Sequence, residues 1–190
     1  MLQIRCKNNN TTRSFPEGST LLEILKGFPE LEFNYPVVSA KVNNASQGLR
    51  YKVWQNRDVE FIELSDPSGM RAYTRSLCFV LYKAASDLFP ECRLYVEHSI
   101  SGGFYCNFYT EGANRASIED VAKIRARMQE IIDADMPFRH NEAPTEEAVH
   151  IFRERGFLDK VKLLETSDRI YCDYYTLGDT VDYYYGALLP

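Results

Sequence analysis

No GxxxxGK[ST] stretch occurs in this chain, so the usual cradle of backbone amides for a nucleotide's phosphates is missing. GxGxxG and GxSxG are missing too, which removes the common signals of dinucleotide binding and of a nucleophile elbow. Paired cysteines are also lacking. The five present are Cys6, Cys78, Cys92, Cys106 and Cys172, and none forms a CxxC. An odd, unpaired set speaks against a zinc ribbon and a disulfide framework, and fits reduced thiols in a cytoplasmic protein. Histidine is scarce: His98, His140 and His150 lie far apart, and each reads as a surface or satisfied core residue. There is no excess of positive charge. With Lys+Arg 22 against Asp+Glu 27, the net charge is −5. That excludes a phosphate grip by the whole surface, though not a local basic patch. No apolar run approaches the ~18 residues of a membrane span. The opening Met1–Cys6 has Arg5 inside it and alternates like a strand, so it does not read as a signal peptide.

What is present suits a globular protein. The 190 residues, 45% hydrophobic and 26% charged, can bury a sizeable core as one large domain or two small ones. Tyrosine is plentiful, with Tyr171, Tyr174, Tyr175, Tyr183, Tyr184 and Tyr185 close together. Half-buried strand packing accounts for them better than a base-stacking surface, given the acidic balance.

Residues 1–64 read as a small α+β unit. Leu2–Cys6 alternates with period two, Asn8–Asn10 turns the chain, and Thr12–Phe15 returns as a hairpin strand. Thr20 and Glu23 have the spacing of a capping box for a helix carrying Leu21, Leu22, Ile24 and Leu25, stopped by Gly27. Val37–Val42 and Val59–Leu64 are further strands, the first turned by Asn43-Asn44. Asp66-Pro67-Ser68-Gly69 reads as punctuation between modules.

The second module, 70–190, is predicted to open with a helix near Tyr73 that ends before Pro90. Strands follow at Arg93–Val96 and Phe104–Tyr109. Ser117 and Asp120 cap a long helix, 118–134, with an apolar stripe of Ile118, Val121, Ile124, Met128, Ile131 and Ile132. This helix is expected to pack on an antiparallel sheet. Phe138–Asn141 is extended, Glu146–Arg155 is helical up to Gly156, and Lys162–Leu164 and Ile170–Tyr175 read as strands. Glu119-Asp120 and Glu146-Glu147 stand in first turns, where the helix dipole explains them without catalysis.

Two stretches carry a resemblance. Ser14-Phe15-Pro16-Glu17-Gly18-Ser19-Thr20-Leu21-Leu22-Glu23-Ile24 and Val37-Val38-Ser39-Ala40-Lys41-Val42-Asn43-Asn44 resemble a TGS domain, a ubiquitin-like β-grasp module that binds RNA or a neighbouring domain. The remainder resembles the editing region of threonyl-tRNA synthetases. Ser76–Pro90 is similar to its first helix, Gly103–Phe108 to its GFYYDF strand, and Ile124–Phe138 to its long helix. Val181–Pro190 is similar to its VDLCRGPHVP stretch. The fold class implied is α+β, a TGS domain at 1–64 followed by an editing-like α+β domain at 70–190, cut short at its C-terminus.

The departures from that pattern bear on function. The family's HxxxH falls on Arg75 and Phe79, and the Cys and His of CRGPH fall on Tyr184 and Leu188. Three His and a Cys can hold a metal or organise a water; Phe and Leu have no donor atom and Arg is always cationic. The resemblance therefore implies no metal and no catalytic residue. Lys160 and Asp182 match retained polar positions, and with Arg75 and Lys83 they are the candidate ligand-binding residues.

Asp66–Leu77 and Tyr183–Gly186 further resemble bacterial uridine kinases that carry such a front end before a P-loop domain. This implies a non-catalytic accessory region, cofactor-free itself, with ATP and magnesium confined to a kinase domain beyond the chain. Its partner would be that kinase domain or a nucleotide-like ligand. The alternative is a tRNA-associated module, either an RNA-binding adaptor or a hydrolase of mischarged tRNA.

Overall fold

The computed structural model describes residues 1–110 and 115–190. Its described elements run β1 (Leu2–Cys6), β2 (Thr11–Phe15), β3 (Ser19–Thr20), α1 (Leu21–Lys26), β4 (Val37–Val42), β5 (Ala45–Gln47), β6 (Lys52–Val53) and β7 (Arg57–Glu63). There follow α2 (Pro67–Leu88), β8 (Arg93–Ile100), β9 (Gly103–Tyr109), α3 (Ile118–Asp133), β10 (Phe138–Pro144), α4 (Thr145–Glu154), α5 (Leu158–Glu165), β11 (Tyr171–Leu177) and β12 (Thr180–Asp182). They form two compact units, Met1–Ser76 with Tyr184–Pro190, and Leu77–Tyr183.

The first unit is a β-grasp. Its five-stranded sheet has the order β2-β1-β7-β4-β5, with β1 and β7 parallel at the centre and the other neighbours antiparallel. The alternation in β1 does what the sequence pattern requires. Leu2, Ile4 and Cys6 are buried against α1, while Gln3 and Arg5 face outward. Both hydrogen bonds of the Thr20–Glu23 capping box form. Asn43 and Asn44 have φ of 47° and 70°, the left-handed pair that a tight β4–β5 hairpin needs. Gly27 ends α1 for a reason other than the expected left-handed cap. Its φ is −76°, and a Cβ there would lie 2.4 Å from the Phe15 ring. The short β3–β6 pair had no legible signal.

The helix expected near Tyr73 begins at Pro67 instead. Pro67 stands in the first turn, where its missing N–H costs nothing, and the Asp66 carboxylate accepts the Ser68 N–H at 2.6 Å. A Pro-Ser-Gly string therefore starts a helix here rather than breaking one.

The second unit is also α+β. Its three-stranded antiparallel sheet has the order β10-β11-β12, and β8–β9 forms a separate hairpin. Ala148, Val149 and Phe152 of α4 and Val161 and Leu164 of α5 form a core with Cys172 and Val181 of the sheet. The expected strand at Lys162–Leu164 is thus part of α5. Val161 and Leu164 are buried three residues apart, and a short apolar run does not distinguish helix from strand. The α3 capping box forms as read, but its apolar stripe is only partly used. Ile124 and Ile131 are buried, while Ile118, Val121 and Ile132 are exposed. At about 100° per residue, Ile118 lies about a third of a turn from the buried line. The α+β class expected from the sequence, with a β-grasp first, is the fold of the chain.

Candidate functional site

Arg75 belongs to the first unit. It donates from Nε and Nη2 to the Ala187 carbonyl at 3.2 and 2.7 Å. Gly186, at φ 110°, lets the guanidinium approach; a Cβ there would sit 3.2 Å from Nη2. Ser76 is buried, donates to Ala72 O at 2.9 Å and accepts the Leu189 N–H at 2.9 Å. These bonds strap the backbone of 186–189 to the start of α2. Leu188 is buried in this segment and Tyr184 is half-buried. A charged hydrogen bond contributes about 1.5–3 kcal/mol. Arg75→Ala should therefore speed amide exchange at Leu189 by about tenfold or more. Exchange unchanged by that substitution would mean that Arg75 does not hold the strap.

Lys83 lies in the second unit, 4% exposed. Its Nζ donates to Asp87 Oδ1 and to Asp179 Oδ1, each at 2.8 Å. Asp87 Oδ2 takes Arg127 Nε and Nη2 at 3.0 and 2.8 Å. Burial pulls the Lys83 amine down, but the hydrogen bonds and charges of Asp179 and Asp87 outweigh it and leave it raised. Its ammonium thus serves to tie α2 to the β11–β12 turn, where Gly178 at φ 61° lets its stem pass.

Lys160 and Asp182 meet directly: Nζ of Lys160 donates to Asp182 Oδ1, which also accepts the Tyr183 N–H at 2.7 Å. The Lys160 amine stands 4.6 Å from the Phe157 ring centroid and 6.0 Å from that of Phe152. Burial lowers it to about 8, and the Asp159 charge opposes this weakly. Of the four candidate binding residues, this pair alone is joined to each other. Phe79 is fully buried, its ring 5.8 Å from that of Phe138.

Among the described residues, no three His, Cys, Asp or Glu side chains come together as a metal-holding group. His98 stacks on Tyr105, His140 pairs with Asp173, and His150 stands 3.6 Å from Glu154. Burial raises the thiols of Cys6, Cys78, Cys92, Cys106 and Cys172 above their ordinary value, away from thiolate chemistry. No helix among the described residues is long and apolar enough to cross a membrane.

A feature that pattern reading had passed over lies on the first unit. Residues 48–57 carry Arg50, Lys52 and Arg57 with no Asp or Glu, in a chain of net charge −5. Asn56 and Arg57 continue into a shallow polar depression on the outer face of the sheet, lined also by Gln3, Arg5, Lys7 and Asn44. Asp58 and Glu60 pair with Arg5 and Lys7 at 3.0 and 3.5 Å, which leaves Arg57 as added positive charge. The signal that could have found it is local: a charge count over ten residues, where the whole-chain balance hides it.

Comparison with known proteins bears on the same question. The chain is 29% identical over 184 residues to threonine–tRNA ligase of Carboxydothermus hydrogenoformans, covering 96% of this chain and 28% of that protein. It is 31% identical over 192 residues to threonine–tRNA ligase of Syntrophomonas wolfei subsp. wolfei, covering 100% of this chain and 29% of that protein. The ligase of Syntrophotalea carbinolica is 29% identical over 191 residues. The similarity lies with the N-terminal region of these ligases, and this chain spans less than a third of their length. No family model matches the chain.

Proposed function

We propose that this chain is a tRNA-associated module, of the kind found at the front of threonine–tRNA ligases, that binds tRNA without hydrolysing an aminoacyl ester. The observation that carries the reading is the similarity to those ligases along the whole chain, both units included. The basic segment 50–57 supplies cations for phosphates where the overall charge does not. Of the two tRNA-associated readings, the adaptor fits better than the hydrolase. Ester hydrolysis needs an activated water. The four positions that would organise it are Arg75, engaged with a carbonyl; Phe79 and Leu188, apolar and buried; and Tyr184. The accessory region of a uridine kinase, expected from resemblance, draws no support from the comparisons.

Two assays on the full chain test this. In filter binding, tRNA should be retained, with an affinity that falls steeply as salt rises, as phosphate contacts require. With mischarged tRNA, amino acid release should stay at the uncatalysed rate. Absence of tRNA binding at low salt would overturn the reading. Release above the uncatalysed rate would replace the adaptor reading with a hydrolase.

A further inference from the structure

Trp54 is the one tryptophan of the chain, and it stands 63% exposed on the loop between β6 and β7. Burying such a ring is among the larger apolar gains open to a fold, so its exposure here calls for a physical reason. It is not a loosely held side chain. The indole lies over Gly18, whose φ is 78°; a Cβ at Gly18 would come within 2.9 Å of Trp54 Cη2 and 3.1 Å of Cζ3. The Gly18 N–H donates to Val53 O at 2.8 Å, which fixes the backbone beneath the ring. One part of the indole is thus seated on backbone, and the greater part of its surface is open.

The surroundings of the ring are cationic and polar. Arg50, Tyr51 and Lys52 precede it and are exposed; Gln55, Asn56 and Arg57 follow. Asn56 is held in place, its Oδ1 accepting the Gln3 N–H at 2.9 Å, and Arg57 Nη2 donates to Gln55 Oε1 at 3.0 Å. The loop therefore carries a fixed aromatic face at one end and leads at the other into the depression lined by Arg5, Lys7, Arg57 and one carboxylate, Asp58.

We infer that Trp54 is a stacking platform for an unpaired nucleotide of RNA, with Arg50, Lys52 and Arg57 taking the flanking phosphates. This rests on the tRNA-associated reading and names the place on the chain where it acts. The charge complement selects the occupant. A protein partner would meet an exposed aromatic side chain in a ten-residue segment, 48–57, that holds three cations and no carboxylate, with Glu23 acting on Lys52 from α1. A single-stranded nucleic acid offers both what the ring stacks on and what the cations neutralise. Duplex RNA keeps its bases stacked and inaccessible, so the site takes loops, bulges or ends.

Because Trp54 is the sole tryptophan, its emission reports the site directly. A single-stranded RNA hexamer titrated into the full chain should quench it saturably. A duplex of the same sequence, and inorganic polyphosphate at equal charge, should leave it nearly unchanged. Trp54→Ala should weaken hexamer binding, followed by anisotropy of a labelled RNA, by about tenfold or more, and Trp54→Phe should restore most of it. Lys52→Glu with Arg57→Glu should weaken binding and flatten its salt dependence. Equal quenching by polyphosphate, or hexamer binding unchanged in Trp54→Ala, would overturn the inference. If tRNA still bound while Trp54 proved indifferent, this site would fall and the tRNA-associated reading would stand. If no RNA bound at all, both would fall.

Discussion

Gly69→Ala is expected to lower unfolding free energy by about 3 kcal/mol, near the upper end for an added methyl in a close-packed site. A Cβ on Gly69 would lie 2.0 Å from the Glu63 carbonyl oxygen, 2.9 Å from its carbon and 3.0 Å from Val38 Cγ2. The obstacle is backbone, so no rotamer change relieves it. Nor can Glu63 step aside cheaply, because it pairs with Val37 in the sheet and the next residue's N–H donates to Pro36 O at 2.9 Å. Gly48→Ala is the matched control: its Cβ would meet Leu188 O at 3.4 Å, an ordinary contact. That substitution should stay within about 0.5 kcal/mol. Urea unfolding of the two variants, followed by far-ultraviolet circular dichroism, compares them. A Gly69→Ala protein as stable as Gly48→Ala would mean that α2 does not approach β7 as described.

The second large effect concerns Asp182→Asn. Breaking one side of a buried ion pair typically costs about 3–5 kcal/mol, because the remaining charge stays buried without its partner. Here that charge is Lys160, set among Phe152 and Phe157. Burial brings its amine down to about 8 from an ordinary 10.5 even with the Asp182 carboxylate beside it, so taking that negative charge away should lower it further. As pH rises towards about 8 the folded variant then loses the Lys160 proton that the folded intact protein and both unfolded chains still hold, so the variant gains stability relative to the intact protein across that range. The deficit should accordingly be greatest at pH 7 and shrink by pH 10, as Lys160 sheds its proton in the folded state. Lys160→Met combined with Asp182→Asn removes both charges and should recover much of the loss. Chemical unfolding at the two pH values measures this. A deficit independent of pH would show that Lys160 is not the group left uncompensated.

Gly69 also shows where pattern reading stops. Beside Asp66-Pro67-Ser68 it reads as a turn, since Gly and Pro punctuate chains. In the fold it is helical, and glycine is required by the strand carbonyl that crosses it. Local composition holds no record of a neighbour supplied by a different element. The same holds for Lys83, a candidate for ligand binding by residue type. Asp87 is visible four residues along its helix, but Asp179 is 96 residues away and only folding brings it to the same ammonium. Arg75 and the Ala187 carbonyl, 112 residues apart, are a further case.

Elements whose causes are local were legible. The capping boxes at Thr20 and Ser117, the alternation of β1 and the Asn43-Asn44 hairpin depend on residues within a few positions of one another, and all formed. The Thr20–Glu23 and Ser117–Asp120 pairs bring backbone donors within reach of side chains whatever the rest of the chain does. The β-grasp order is less local: strand patterning alone reached only a small α+β unit, and the resemblance to TGS domains is what implied the β-grasp. Long-range geometry decided the rest. It made α5 of a run that could have been a strand, left half of the α3 stripe in solvent, and seated Trp54 on Gly18, 36 residues before it. Residue type and spacing carry the cost of local backbone conformations. Which surfaces end up covered depends on elements far along the chain, and that is settled only when the tertiary structure closes.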